Sequence, residues 1–186
     1  MLTEESIIIA ELLKHERNKK IINVCSSDLQ FYSIKQPHIF EYVMKPLVQR
    51  KCQLINLDIK NGLGIDLVSD CTNMNSILKE SFDIVLFCSA IEHISDPRKA
   101  LVEILRILKP NGFLIASAPG IYPKHKDPID TLLRMPNRQA WEDLINGFFR
   151  VEIFRKTKPL SAPKKYCFNK NIFATIIKAR PIKEKN

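Results

Sequence analysis

Polar side chains that could do chemistry follow one strongly apolar segment in the middle of the chain. Residues 82–88, FDIVLFC, lead directly to Ser89, Glu92 and His93. An almost unbroken run of β-branched and aromatic residues is typical of a strand covered on both faces of a parallel sheet. Ligands of such sheets bind beyond the carboxyl ends of the strands. His93 could act there as a general base near neutral pH, although the residues alone slightly favour a structural role in tying a helix start to the sheet.

Two further acids follow predicted strands. Asp58 closes the predicted strand 54–58, where a carboxylate can accept hydrogen bonds from ribose hydroxyls. The alternative for Asp58 is to cap the next turn, and the ribose role is favoured. Asp70 follows the short predicted strand 65–68 and is succeeded by Cys71 and Thr72. An Asx turn is one interpretation of Asp70, and a binding role is equally open.

A long polar loop, residues 119–136, offers a second set of candidate groups. His125 and Asp127 are alternative acid–base or substrate-binding residues. Loops of this length in compact domains are usually functional, so a lid over a bound substrate is favoured over a rigid surface loop. Asp130 and Arg134 are four residues apart and are expected to pair with each other.

The elements that must position these groups alternate between strands and helices. The segment 31–37 is interpreted as irregular, and Pro46 is expected to kink a helix or start a new turn. No helical pattern separates the last two strands, which predicts an antiparallel pair. The pattern therefore predicts an α/β, Rossmann-like fold: a mostly parallel sheet with helices on both faces and an antiparallel C-terminal strand pair. The predicted strands are 21–25, 54–58, 65–68, 82–88, 113–118, 148–154 and 171–178, and the predicted helices are 4–17, 38–50, 74–79, 98–108 and 137–146.

Bulk composition narrows the possible environments and partners. The 186 residues are 45% hydrophobic without a run long enough to span a membrane, so we expect one domain over residues 1–180 and a basic tail over residues 181–186. Five scattered cysteines, without a CxxC pair, predict free thiols in a reducing cytoplasm and no metal site. The net charge of +9 lies largely after residue 150, which favours a solvated basic end over a nucleic-acid-binding arm.

Three segments together resemble the class I S-adenosylmethionine-dependent methyltransferases, of the type 11 kind. Residues 82–119, which include EH and LKPNG, are similar to the family's strand-four, helix and strand-five block. Residues 55–73 are similar to its second and third strand ends, and residues 122–136 to a loop found in one subgroup. The resemblance covers roughly residues 20–155. It departs from the family after the first strand, where glycines are usual and this chain has Cys25, Ser26 and Ser27.

The resemblance implies S-adenosylmethionine as cofactor and methyl transfer to a small-molecule or glycan-like acceptor. It also implies that the segment with Ser89, Glu92 and His93 floors the cofactor pocket and faces the acceptor, and that Asp70, Cys71 and Thr72 contact the adenine. Ser26 and Ser27 could bind the methionine carboxylate in place of glycines, or the altered turn could mark a non-catalytic scaffold. An RNA methyltransferase using the basic C-terminal region is a second, less favoured alternative; the oligomeric state stays open. The implied cofactor-binding residues are Cys25, Ser26, Ser27, Asp58, Asp70, Cys71, Thr72, Ser89 and Glu92.

Overall fold

A seven-stranded sheet forms the centre of the computed structural model, which describes residues 1–124, 130–160 and 171–182. Its strands run in the order β3-β2-β1-β4-β5-β7-β6. All pairs among the first five strands are parallel, whereas β7 is antiparallel to both β5 and β6. This arrangement confirms the predicted fold class. The strands are β1 Lys20–Val24, β2 Gln53–Asp58, β3 Leu67–Val68, β4 Phe82–Cys88, β5 Leu108–Ile121, β6 Phe149–Lys156 and β7 Phe173–Pro181.

Helices cover both faces of the sheet because successive strand residues point to opposite sides. In β4, Val85 and Phe87 pack in the layer that contains the fifth and sixth helices, whereas Ile84 and Leu86 pack in the layer that contains the first and fourth. The helices are α1 Thr3–Leu13, α2 Leu29–Ile34, α3 Pro37–Ile39, α4 Lys45–Gln49, α5 Pro97–Ile107 and α6 Arg138–Ile145. Among the described residues, no helix has the length and apolar character that crossing a membrane requires.

Helix α5 follows the sequence signals closely. The Asp96 side chain accepts the backbone N–H of Lys99 at 3.0 Å, and Pro97 occupies the first turn. Its fully buried residues, including Ala100 and Ile104, form one stripe that faces the sheet. The helix ends at Ile107, and β5 begins at Leu108, five residues before the predicted strand 113–118. A register shift in the β4–β5 pairing accommodates those extra residues within the strand.

The helix predicted over residues 74–79 is wrong, because side chains of α5 hydrogen-bond to the backbone of this segment. Glu103 accepts the Met74 N–H at 2.6 Å. Arg106 donates to the carbonyl oxygens of both Met74 and Ile77 at 2.7 Å. Charge-assisted hydrogen bonds to a neighbouring helix thus replace the ladder that a local helix would have made.

Two expectations for the segment between β1 and β2 have different outcomes. The interpretation of residues 31–37 as irregular is wrong, since α2 begins after Asp28, which accepts the Phe31 N–H at 2.7 Å. The expectation that Pro46 starts a new turn is confirmed: α4 begins at Lys45, after a π turn over Phe40–Met44. Pro46 has no backbone N–H to donate, which is tolerated in the first turn of α4, directly after the π turn.

Candidate active site

One cleft of about 1010 Å³ runs along the carboxyl edge of the sheet. We call it the edge cleft; it is bounded by the ends of β1, β2, β4 and β5 and by the start of β7. Ten residues predicted from sequence meet there, although their roles stay predictions. His125 and Asp127 lie outside the described residues. The ten are Cys25, Ser26, Ser27, Asp58, Asp70, Cys71, Thr72, Ser89, Glu92 and His93.

The turn after β1 keeps a glycine-like backbone without containing a glycine. Cys25 and Ser27 have φ angles of 58° and 62°, in the left-handed region that side chains disfavour. The Ser26 N–H donates to the Leu57 carbonyl at 3.0 Å, which ties the turn to β2. A hydrogen bond with Cys71, together with burial, raises the pKa of the Cys25 thiol well above its usual range. The thiol of Cys25 is therefore engaged with Cys71 at the cleft wall, and the backbone of the turn remains at the cleft.

Asp58 at the end of β2 organises this turn. Its Oδ2 accepts the Ser27 N–H at 3.1 Å, and its Oδ1 accepts the Lys60 N–H at 2.9 Å. The capping role considered from sequence is thus present. A carboxylate oxygen has two lone pairs, so each can accept one further hydrogen bond from a ligand hydroxyl. Ile59, the next residue, is 65% exposed and lines the cleft; sequence reasoning missed this apolar surface, whose only signal was its place directly after a strand-end acid.

Asp70 forms the Asx turn that was one of its two interpretations. Its Oδ1 accepts both the N–H and the hydroxyl of Thr72, at 2.8 and 2.9 Å. The turn holds Asp70, Cys71 and Thr72 at the rim of the edge cleft, beyond β3. A turn fixed in this way is compatible with a binding role, since the ordered backbone costs less entropy when a ligand arrives.

A buried carboxylate from α1 reaches the opposite end of the cleft. Glu5 is only 1% exposed. Its Oε1 accepts the hydroxyls of Ser89, at 3.0 Å, and of Ser117, and its Oε2 accepts the Leu2 N–H at 3.0 Å. Sequence reasoning missed Glu5, although its position four residues before Ile9 on the buried helix face was a usable signal.

Glu92 has the most unusual environment in the cleft. It lies in a 3-10 turn, Ile91–His93, and is 3% exposed. Within the described residues its Oε2 is buried without a hydrogen-bond partner. Burial, with a further contribution from the charge of Glu5, raises the pKa of Glu92 from 4.5 to about 7. Near neutral pH this carboxyl group can therefore exist in either protonation state.

The main chain of Glu92 is held in place by the segment after β5. Thr131 donates both its N–H and its hydroxyl to the Glu92 carbonyl oxygen, at 2.8 and 2.9 Å. Arg134 and Asp130 pair as expected, in two bonds of 2.9 and 2.7 Å, but they do so outside any helix. His93 lies beside the site, with its Nε2 3.8 Å from Oε1 of Glu92.

The edge cleft therefore has two chemically different ends. The β1–β2 end presents the turn Cys25–Ser27, Asp58 and the exposed Ile59, which suit a ligand with hydroxyls and a flat apolar part. The β4–β5 end presents Glu92, and the aromatic side chains of Tyr122, after β5, and Phe173, at the start of β7, also line the cleft. Within the described parts of the chain, no three His, Cys, Asp or Glu side chains are grouped so that they could hold a metal ion.

Comparison with known proteins gives concordant results. Residues 41–116 match a family model described as a methyltransferase domain. A ubiquinone biosynthesis O-methyltransferase of Cereibacter sphaeroides is 34% identical over 65 residues. That match covers 35% of this chain and only 26% of the relative, so it spans about a quarter of that protein's length.

Solved structures match over nearly the whole chain at low identity. A proposed methyltransferase of Bacillus halodurans is 13% identical with a TM-score of 0.67, over 96% of this chain and 100% of that one. A S-adenosylmethionine-dependent methyltransferase of Methanosarcina mazei is 14% identical with a TM-score of 0.61, over 95% and 98%. The [4+2]-cyclase SpnF has a TM-score of 0.68 at 13% identity, over 97% and 81%. Because one fold serves different reactions, these likenesses establish the fold and leave the reaction to be argued from the site.

Proposed function

We propose that this chain, which has the class I methyltransferase fold, transfers a methyl group from S-adenosylmethionine to a small-molecule acceptor. The observation that carries the proposal is one cleft whose end at Asp58 suits a nucleoside and whose other end contains a buried carboxyl group, Glu92. A site for two reactants needs both kinds of surface, joined so that the reacting atoms can meet.

The residues of the β1–β2 end fit the cofactor. Asp58 would accept hydrogen bonds from the ribose hydroxyls through the lone pairs left over from its contacts with Ser27 and Lys60. The left-handed backbone at Cys25 and Ser27 supplies the close approach that glycines usually allow. Ile59 would cover one face of the adenine, and the Asp70–Thr72 turn would border it.

The chain's share of the chemistry would be mainly positioning. When bound, S-adenosylmethionine supplies an activated methyl carbon for in-line displacement. The walls of the edge cleft would then hold the acceptor in line and exclude water. Such positioning can contribute up to roughly 7–11 kcal/mol in favourable cases. A hydroxyl acceptor must also lose a proton, which calls for a base at the β4–β5 end of the cleft.

Two observations support the proposal that the methyl group is transferred to an oxygen atom. The relative that matches locally is an O-methyltransferase, although the match covers a quarter of its length. Independently, the β4–β5 end of the cleft combines apolar walls with one carboxyl group that has an unused acceptor atom. An apolar molecule with a hydroxyl group fits these surfaces.

Calorimetric titration with S-adenosylhomocysteine tests the proposed function. We expect binding to the wild-type chain and about 10- to 100-fold weaker binding to Asp58→Asn, because hydrogen bonds to a charged group are worth about 1.5–3 kcal/mol. Asparagine keeps one acceptor oxygen for the turn, so the fold should survive. Asp143→Asn, an exposed change on α6 away from the cleft, is the matched control and should bind like the wild type.

The same titration separates the enzyme from a non-catalytic scaffold. Ligand that binds only the native state must raise the unfolding temperature at saturation. If S-adenosylhomocysteine neither releases heat nor stabilises the wild-type protein, the proposal fails and the scaffold alternative remains.

A further inference from the structure

The sequence prediction places Glu92 among the cofactor-binding residues, in a segment that is also expected to face the acceptor, and its neighbours belong to the β4–β5 end of the cleft. Thr131, which holds its carbonyl oxygen, follows β5. Glu5, whose charge acts on it, is bonded to Ser89 after β4 and to Ser117 within β5. Asp58 lies two strands away, at the end of β2. Glu92 therefore faces the region in which the acceptor, rather than the ribose, would lie.

Oε2 of Glu92 can accept a hydrogen bond, and no described residue donates one to it. A buried acceptor atom without a partner costs about 1–3 kcal/mol, so a site that retains one has a reason to do so. The hydroxyls of Ser89 and Ser117 do not donate to Oε2 of Glu92, since both donate to Glu5. Glu92 lines the cleft, so its unused oxygen is an acceptor atom available to a ligand hydroxyl bound there.

The chemistry of the surroundings selects the class of donor. An ammonium group brings three donors to a place where one unused acceptor atom is found among the described residues. A neutral hydroxyl brings one donor and no charge. Aromatic side chains also line the edge cleft, among them Phe31, Tyr122 and Phe173, and they favour a hydroxyl on an aromatic carrier.

We propose that Glu92 is the catalytic proton acceptor for a hydroxyl, of the phenol class, on the molecule that receives the methyl group. This inference rests on the proposed function. The acceptor oxygen gains a bond to the methyl carbon as the carbon–sulfur bond breaks, sulfur keeps the electron pair of that bond, and the hydroxyl proton passes to Oε2 of Glu92. Glu5 is a positioning residue, since it accepts hydrogen bonds from Ser89 and Ser117 and its charge raises the pKa of Glu92, without contact to the acceptor.

The charge state of Glu92 should then control the binding of a phenol. A carboxylate accepts a hydrogen bond from a phenol far better than a protonated carboxyl group does. The pKa of Glu92, raised by burial to about 7, places this change between pH 5.5 and 8.5. The other charged groups that act on Glu92 are Glu5 from α1, the Met1 amino group and Arg134 from the segment after β5, with His93 beside it.

The probe is p-cresol, which stays neutral over this range because a phenol ordinarily has a pKa of about 10. Its affinity for the protein saturated with S-adenosylhomocysteine should rise about tenfold from pH 5.5 to 8.5 in the wild type. Glu92→Gln keeps the shape but cannot ionise, so its affinity for p-cresol should be the same at both pH values. Glu41→Gln, at an exposed pair with Lys45, is the control and should follow the wild type.

Each outcome decides the inference separately from the proposed function. If S-adenosylhomocysteine does not bind, the proposed function fails, and p-cresol is titrated into the free protein. The same pH dependence in the wild type and in Glu92→Gln would overturn the role of Glu92, and so would the absence of p-cresol binding at millimolar concentration. If Glu92→Gln does not fold, the wild-type profile alone is sufficient, since a flat profile contradicts the inference.

Discussion

The buried carboxyl group of Glu92 should make the stability of the protein depend on pH in a direction opposite to that of most acids. Its pKa is raised from 4.5 to about 7, chiefly by burial. Below pH 4.5 the group is protonated in both the folded and the unfolded chain and contributes nothing against folding. As the pH rises from 4.5 to 7, the unfolded chain releases the proton while the folded chain keeps it, so the free energy of unfolding falls. Above pH 7 the loss is complete.

The magnitude follows from the size of the pKa change. Each pKa unit corresponds to about 1.4 kcal/mol, so the rise from 4.5 to about 7 amounts to about 3 kcal/mol. Glu92→Gln removes the ionisation while keeping the shape of the side chain. The variant should therefore gain stability relative to the wild type as the pH rises, by about 3 kcal/mol between pH 4.5 and pH 8.

Urea unfolding at half-unit pH steps measures this difference directly. The difference in free energy of unfolding between Glu92→Gln and the wild type should grow between pH 4.5 and 7 and then stay constant. Glu41→Gln serves again as the control, because an exposed pair contributes at most about 1 kcal/mol. Parallel curves for Glu92→Gln and the wild type would show that Glu92 titrates normally, and the argument from its burial would be refuted.

Two further changes test the backbone of the edge cleft. Ser27→Gly should stabilise the protein by about 0.5–1 kcal/mol, because relief of a left-handed φ of 62° outweighs the entropy that glycine adds to the unfolded chain. The control, Ser76→Gly, is an exposed change at a residue without a positive φ and should destabilise the protein. A loss of stability in both variants would contradict the assignment of strain to Ser27. Gly120→Ala places a methyl group in overlap with the Phe173 ring, so it should cost about 1–3 kcal/mol in urea unfolding and weaken p-cresol binding. The control, Gly147→Ala, meets nothing within 4 Å but has a φ of 85°, so it should lose stability without affecting p-cresol. Equal p-cresol affinities in the two variants would remove Phe173 from the acceptor site.

Local patterns in the sequence were sufficient to predict the sheet and most of its helices. The run 82–88 became β4 with the predicted bounds, and the helix predicted over residues 98–108 became α5, Pro97–Ile107. Parallel strands place their carboxyl ends at one edge, so the strand-end residues Asp58 and Glu92 had to meet in one cleft. These outcomes follow from hydrophobic periodicity and capping, which act over a few residues and are therefore visible in the sequence.

The remaining features depend on contacts between distant segments. Glu5 joins Ser89 and Ser117 across separations of 84 and 112 residues, which no local pattern records. Residues 74–79 do not form the predicted helix, because their backbone is hydrogen-bonded to Glu103 and Arg106 of α5. These bonds form only after the segment packs against α5. The bidentate pair of Asp130 and Arg134 formed as predicted, but in an irregular segment, because four-residue spacing brings side chains together in more than one backbone conformation.

Several features of the edge cleft cost stability, although four other described non-glycine residues, which lie outside it, also have positive φ angles. Cys25, Ser27 and Ser89 all have positive φ angles and all line it, although side chains at such angles typically cost about 1–2 kcal/mol each. Two carboxyl groups, Glu5 and Glu92, are buried at the same place, one fully hydrogen-bonded and the other with an unused oxygen. The apolar layers on its two faces bury most of the sheet. Positive φ angles and an unpaired buried carboxyl oxygen cost stability, and their persistence beside a cleft agrees with the proposed binding and catalytic role. The unpaired buried oxygen of Glu92 argues against a scaffold that has lost its ligands, because a chain freed from binding gains stability by replacing Glu92 with an apolar residue.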